Sequence, residues 1–216
     1  MPEEQELAYN LIKPFGPFIG DFTIPSRIVD ELNAFTDAVI ADQSRSDELD
    51  LSHHLAGEVS QEIVVAEDVL HGEVGRYLME MTATYVGGAT RKKMTRFTLM
   101  RCWIVRSFAG DYNPIHNHRG HISGTGYLKV PPQIGSPEGS RKSGLNAGCI
   151  TFSHGADQFV SPGHYSVTPK VGHMLIFPHY LNHSVYPFSG EGERRSFAFN
   201  AMIDDDIFDI YAARAE

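Results

Sequence analysis

The sequence predicts a mainly β fold with flanking helices, a sandwich or jelly-roll barrel built by the second half of the chain. Three observations lead there. Apolar residues recur at helical spacing only before about residue 95; beyond it, short runs rich in Val, Ile, Phe, Tyr and Trp alternate with Gly, Pro, Asn and Ser; and no helical pattern is interleaved among those runs. Short strands spaced this way pair antiparallel, and a jelly roll limits the edges they would otherwise expose.

The elements follow in order. Ser26 is placed to cap a helix whose apolar residues Ile28, Leu32, Phe35 and Val39 recur at three- and four-residue intervals. A second stripe, Val74, Leu78, Met81 and Tyr85, runs to Gly87-Gly88, which suits a helix ending in a left-handed cap. The strands are read in RFTLMRCWIVRSF, HISGTGYLKV, GCITF, GHMLIF and RRSFAFNAMI. Residues 131–148, PPQIGSPEGSRKSGLNAG, have the composition of a long flexible loop. Asp204-Asp205-Asp206 reads as a solvated acidic turn before a short closing helix. We therefore expect one domain over residues 1–216: mostly helical support with the first strands over 1–94, the barrel over 95–203 and a closing segment over 204–216.

Composition narrows the function. A chain of 216 residues, 42% hydrophobic and 21% charged, supports one substantial core. A formal charge of -9 disfavours nucleic acid and anionic lipid, both of which need clustered Lys and Arg, and favours a small-molecule or peptide substrate. The opening MPEEQELAYN carries acids where a secretory signal needs bases, and no apolar run is long enough to span a bilayer, so a cytoplasmic protein is expected. Cys102 and Cys149 lack the spacing of a redox or zinc pair and read as buried thiols.

Histidine is the anomaly. Eight of eleven lie between His116 and His183, inside the strand-rich half. In His116-Asn117-His118, residues two apart on an extended segment share a face, so both imidazoles can reach one metal ion. A third ligand, distant in sequence but adjacent in a barrel, would complete a facial set with open positions. His183, in FPHYLNHSVYPF after an apolar strand, is the candidate. An HxH pair alone is a weak signal, because surface and core histidines are common.

The blocks RSFAGDYNPIHNHRGHISGTGYLKVPP, PKVGHMLIFPHYLNHSVYPF and ERRSFAFN, in that order and spacing, resemble the 2-oxoglutarate-Fe(II) oxygenases related to prolyl hydroxylases. The resemblance covers roughly residues 95–203. It implies a double-stranded β-helix, a jelly-roll or cupin-like barrel, with Fe(II) held by His116, His118 and His183 and 2-oxoglutarate as cosubstrate of a dioxygenase that hydroxylates an unidentified substrate. Arg194 then corresponds to the arginine that pairs with the far carboxylate of 2-oxoglutarate, a role suited to the two parallel donors of a guanidinium. Alternation favours Arg194 over Arg195, since Arg194, Ser196, Ala198 and Asn200 form a small, polar face. Ser196 can add a hydroxyl donor; Tyr127 is either a second donor or a buried barrel tyrosine.

One departure stands out. The wider superfamily usually carries His-x-Asp or His-x-Glu where this chain has His116-x-His118, so three neutral imidazoles leave the full charge on the metal. A cupin-type three-histidine enzyme that does not use 2-oxoglutarate shares the barrel, and Gly110 to His118 fits its G-x5-HxH opening; it has no need of Arg194, and the glutamate expected after HxH is missing. A non-catalytic barrel that binds a metal or ligand is the alternative from another class. His121 reads as an exposed loop residue or a group near the metal, and Trp103 as core. His53-His54, His154, His164, His173 and His179 are assigned no role.

Overall fold

The computed structural model describes residues 9–14, 16–52, 58–136 and 146–209. Among them eleven strands form two antiparallel sheets: β1 (Tyr9–Ile12), β2 (Ile19–Thr23), β3 (Gln61–Val64), β4 (Phe97–Ser107), β5 (Asn113–His116), β6 (Ile122–Lys129), β7 (Ile150–Ser153), β8 (His164–Val167), β9 (His173–Pro178), β10 (Asn182–Val185) and β11 (Arg194–Ile203). The major sheet runs β1-β2-β9-β6-β11-β4-β3 and the minor sheet β5-β10-β7-β8. Facing each other, they make the double-stranded β-helix, and the strand runs legible in the sequence supply β4, β6, β7, β9 and β11.

Strand alternation decides what each face of the major sheet touches. On β9, Met174 and Ile176 point outward into a large core shared with Phe197, Phe199 and two helices, α1 (Ser26–Ala41) and α4 (Glu73–Thr90). Leu175 and Phe177 point inward and pack with Ile19 of β2 and with Ile150 and Phe152 of β7 across the sandwich. The two apolar stripes of the helices are buried in the outer core: Ile28, Leu32, Phe35 and Val39 from α1, and Val74, Leu78, Met81 and Tyr85 from α4. At Gly124 of β6 a Cβ would lie 2.3 Å from the Phe199 ring and 3.0 Å from the Leu175 carbonyl oxygen, so glycine is what lets the aromatic ring lie flat across this strand.

Two helix boundaries differ from the sequence reading. Ser26 is the first residue of α1 and caps nothing; Pro25 takes the cap position with φ -57° and ψ 140°, and its carbonyl accepts from Ile28 and Val29 at 3.0 and 3.3 Å. Helix α4 runs through Gly87-Gly88 to Thr90, and the left-handed residue is Arg91 at φ 63°. Two glycines cost an interior helix only about 1 kcal/mol each, less than burial of Tyr85 and Val86 returns. Gly88 also leaves room for the side chain of Leu11 on β1.

Three short helices complete the chain: α2 (Gln43–Leu49), α3 (Glu67–Leu70) and α5 (Asp205–Phe208). Asp204 is more than a solvated turn, because its carboxylate accepts from the backbone N–H groups of Thr95 and Arg96 at 2.9 and 3.0 Å and pins the end of β11 to the approach to β4. Both ends of the 131–148 loop are anchored, Ile134 and Ala147 packing on Phe188, while residues 137–145 lie outside the described set, as do His53 and His54. Both cysteines are buried thiols, and the Cys149 thiol reaches Thr168 Oγ1 at 3.6 Å. No helix among the described residues is long and apolar enough to cross a membrane.

Candidate metal centre

A cavity of about 190 Å³ lies between the two sheets, lined by His116, His118 and His183 and, from the major sheet, by Glu62, Trp103, Val105, Thr125, Arg194, Ser196 and Ala198. The histidines arrive by two routes. His183 on β10 pairs directly with His116 on β5, which puts both side chains on the cavity face of the minor sheet. Strand β5 stops at His116, so alternation does not place His118. Instead its backbone N–H donates to the His179 carbonyl at 3.0 Å while the His179 ring Nδ1 bonds the His118 carbonyl at 3.1 Å, a reciprocal clasp.

The three imidazoles converge: their ligand atoms lie within 4.8 Å of one another, and the Nε2 atoms of His118 and His183 are 3.2 Å apart. Metal–nitrogen bonds of about 2.1 Å set neighbouring donors roughly 3 Å apart, so this spacing suits one ion. Tautomers are set by the backbone. His116 Nδ1 bonds the Pro114 carbonyl at 2.7 Å and His183 Nδ1 the Leu181 carbonyl at 2.9 Å, each two residues back, which leaves Nε2 as a lone pair turned into the cavity. Burial, reinforced by the neighbouring histidines, pushes His118 down to about 4 and His183 to about 3, so both are neutral at pH 7. Neutral imidazole is the form that binds metal.

Arg194 enters from β11 and is 3% exposed. Its Nε donates to the Gly148 carbonyl at 3.1 Å, a terminal nitrogen lies 3.3 Å from Ser196 Oγ, and the guanidinium sits 5.2 Å above the Tyr127 ring. Among the described residues no carboxylate lies within ion-pair distance of it. Tyr127 is buried beneath the guanidinium and does not line the cavity; among the described residues its hydroxyl makes no hydrogen bond of good geometry and its nearest polar neighbour is Arg194, while burial, opposed in part by Arg194, raises it to about 12. A buried guanidinium with no anion among the described residues, exposed to the cavity beside the Ser196 hydroxyl, fits a ligand carboxylate. Arg195 points to the other face and is consumed there, with Glu193 at 2.8 and 2.9 Å and Asp37 at 2.8 Å.

Several residues differ from their sequence reading. His121 is buried, not exposed: its Nδ1 accepts from the Ile203 N–H at 3.2 Å and its ring stacks on Phe208 at 3.8 Å, outside the cavity that holds the three-histidine cluster. Asn200 lies on the Arg194 face, as alternation predicts, but accepts from Ser123 at 2.8 Å outside the cavity lining. Trp103 is buried yet forms a cavity wall, edge-on to His118 at 5.8 Å. Sequence reasoning missed Glu62 and His179. Glu62 gave no signal, being one acid on a four-residue strand; His179, four residues before His183, could have been found only by asking what holds His118.

Residues 101–200 match the sequence model of a family described as "Putative 2OG-Fe(II) oxygenase". Among solved structures, the chain resembles a prolyl-4-hydroxylase of Pseudomonas putida at 17% identity, covering 86% of this chain and 91% of that one, with a TM-score of 0.57. It resembles the viral collagen prolyl hydroxylase of Paramecium bursaria Chlorella virus-1, solved with 2-oxoglutarate, at 14% identity, 85% and 94% coverage and a TM-score of 0.55. HygX from Streptomyces hygroscopicus, solved with nickel and 2-oxoglutarate, is similar at 13% identity, 84% and 82% coverage and a TM-score of 0.54. At these identities the likeness is one of fold. No curated protein matches the chain in sequence.

Proposed function

We infer that this chain is a 2-oxoglutarate- and Fe(II)-dependent oxygenase of the family its barrel matches over residues 101–200, and that its reaction is the hydroxylation of a small molecule or peptide. One observation carries the reading: a buried guanidinium, Arg194, with no ion-pair partner among the described residues, shares a small cavity with a three-histidine cluster. Either feature alone is common. Together they supply the two grips a 2-oxo acid needs, a metal for one end and a bidentate cation for the other.

When bound, Fe(II) with 2-oxoglutarate supplies the oxidising chemistry, in which the 2-oxo acid is decarboxylated to succinate as dioxygen is consumed. The protein's contributions are positional. His116, His118 and His183 would hold the metal on one side, leaving the remaining positions open to the cavity. Arg194 would take the far carboxylate, with the Ser196 hydroxyl in the cavity wall as a further donor, while Tyr127 supports the guanidinium from beneath. Phe177, Ile150 and Val185 line the same space with apolar surface and limit water there. Three imidazoles without a carboxylate make the centre one charge more positive than a His-x-Asp site, which strengthens its hold on a dianionic 2-oxo acid.

The reading is tested by incubating the purified chain with Fe(II), dioxygen and 2-oxoglutarate and measuring succinate. Slow, metal-dependent succinate formation is expected even without the organic substrate, and its complete absence together with tightly retained zinc would favour a non-catalytic barrel.

A further inference from the structure

Glu62 is a second buried carboxyl in the same cavity, and among the described residues no cation is paired with it. It is 2% exposed, lines the cavity, and its Oε2 has no hydrogen-bond partner. The contrast with Glu193 is direct: that partly buried carboxylate is bracketed by Arg195 and Arg106, both at 2.8 Å. Arg106 stands opposite Gln61, one register position from Glu62, yet its guanidinium is directed to Glu193 and to the Gln61 side-chain oxygen, away from the cavity. More negative charge stands behind. Asp50, whose carboxylate accepts from the N–H and hydroxyl of Ser52, acts electrostatically on Glu62.

We propose that Glu62 is the anchor for the organic substrate, and that this substrate carries a protonated nitrogen, an alkylammonium or a guanidinium, seated against the Glu62 carboxylate. The assignment rests on reading the cavity as that of an oxygenase and names the substrate class for it. A desolvated carboxylate with an open oxygen is costly until a cation meets it, and the acidic surroundings make a second anion or a plain apolar group a poor occupant. Burial, eased in part by the Trp103 indole and reinforced by Asp50, raises Glu62 to about 7, so an arriving cation would hold it ionised. The geometry suits a substrate. Glu62 and Trp103 share the cavity face, Glu62 opposite Val105 and Val64 opposite Trp103, and Trp103 in turn lies edge-on to His118. A nitrogen held at Glu62 therefore leaves its carbon chain running past the indole toward the histidine cluster.

The chain has one tryptophan, Trp103, which makes its fluorescence a local reporter independent of turnover. The experiment titrates the full chain, with and without Zn(II) and 2-oxoglutarate, using n-butylammonium and pyrrolidinium, with butan-1-ol and butyrate as matched controls. A saturable change with the cations and none with the controls is expected, and Glu62→Gln should weaken the cations at least tenfold while keeping a cooperative thermal melt. If Glu62→Gln does not fold, Glu62→Asp, which keeps the charge, should retain the preference for cations. Equal response to ammonium and alcohol, or undiminished ammonium binding in Glu62→Gln, would overturn the proposal. Absence of 2-oxoglutarate binding with intact ammonium binding would instead reject the oxygenase reading, overturn the role of Glu62 as anchor of an oxygenase substrate, and leave only a cation site at Glu62.

Discussion

His183 and His116 face each other as a direct antiparallel pair, with ring centroids 4.4 Å apart. The pairing is made by backbone hydrogen bonds, and each ring is further fixed by a bond from Nδ1 to the carbonyl two residues back. A metal site built this way would be formed before a metal arrives.

His118 depends on the clasp with His179, so His179→Ala should weaken metal binding by roughly 10- to 100-fold, the usual consequence of losing a group that orients a ligand. His183→Ala, which removes a ligand itself, should cost more. Competition of Fe(II) or Zn(II) against a chromophoric chelator measures both.

The pH dependence of the metal-free fold has a definite sign. Imidazoles in the unfolded chain take a proton near pH 6.5, while His118 and His183 in the fold resist it until about 4 and 3. Between those values the unfolded chain binds more protons, so stability falls as pH drops, by on the order of 2 kcal/mol for each histidine at pH 5. Urea melts at pH 7 and pH 5 test this, and added Zn(II) should protect at pH 7 more than at pH 5.

Glu62 shifts the other way. The carboxyl in the unfolded chain ionises near 4.5 and in the fold near 7, so its burial is tolerated below pH 4.5 and costs increasing stability as pH rises through 7. Glu62→Gln should therefore be nearly neutral at pH 5 and stabilising by roughly 1–3 kcal/mol at pH 8.5, read from thermal or urea melts.

Gly124→Ala should destabilise the barrel by about 1–3 kcal/mol, because the new methyl must displace the Phe199 ring or the backbone of β9. Urea denaturation with an unchanged m-value would locate the effect in packing.

Much of this architecture was legible in the sequence because period-two and period-3.6 patterns report directly on burial; five strands and both helix stripes follow from them. What escaped lies where packing overrules local preference. The α4 helix continues past Gly87-Gly88 because tertiary burial outweighs glycine's propensity, and Ser26 does not cap because Pro25 already sets the turn. In the site, the meeting of His116, His118 and His183 was expected, but the means of placing His118 was not: strand alternation was the argument, and a tertiary clasp to His179 is the fact. Glu62 was invisible because a lone acid on a short strand carries no periodic signature; only its burial and missing partner mark it.

Central to the account is that Arg194 and the three histidines grip the two ends of one 2-oxo acid. Anaerobic titration of the purified chain with Fe(II) and 2-oxoglutarate tests it most directly. We expect a weak visible metal-to-ligand charge-transfer band that saturates with 2-oxoglutarate. Arg194→Ala should weaken that saturation by about 30- to 1000-fold, the equivalent of roughly 2–4 kcal/mol, while Fe(II) binding is retained. Fe(II) bound with no such band, or a band indifferent to Arg194→Ala, would contradict the account.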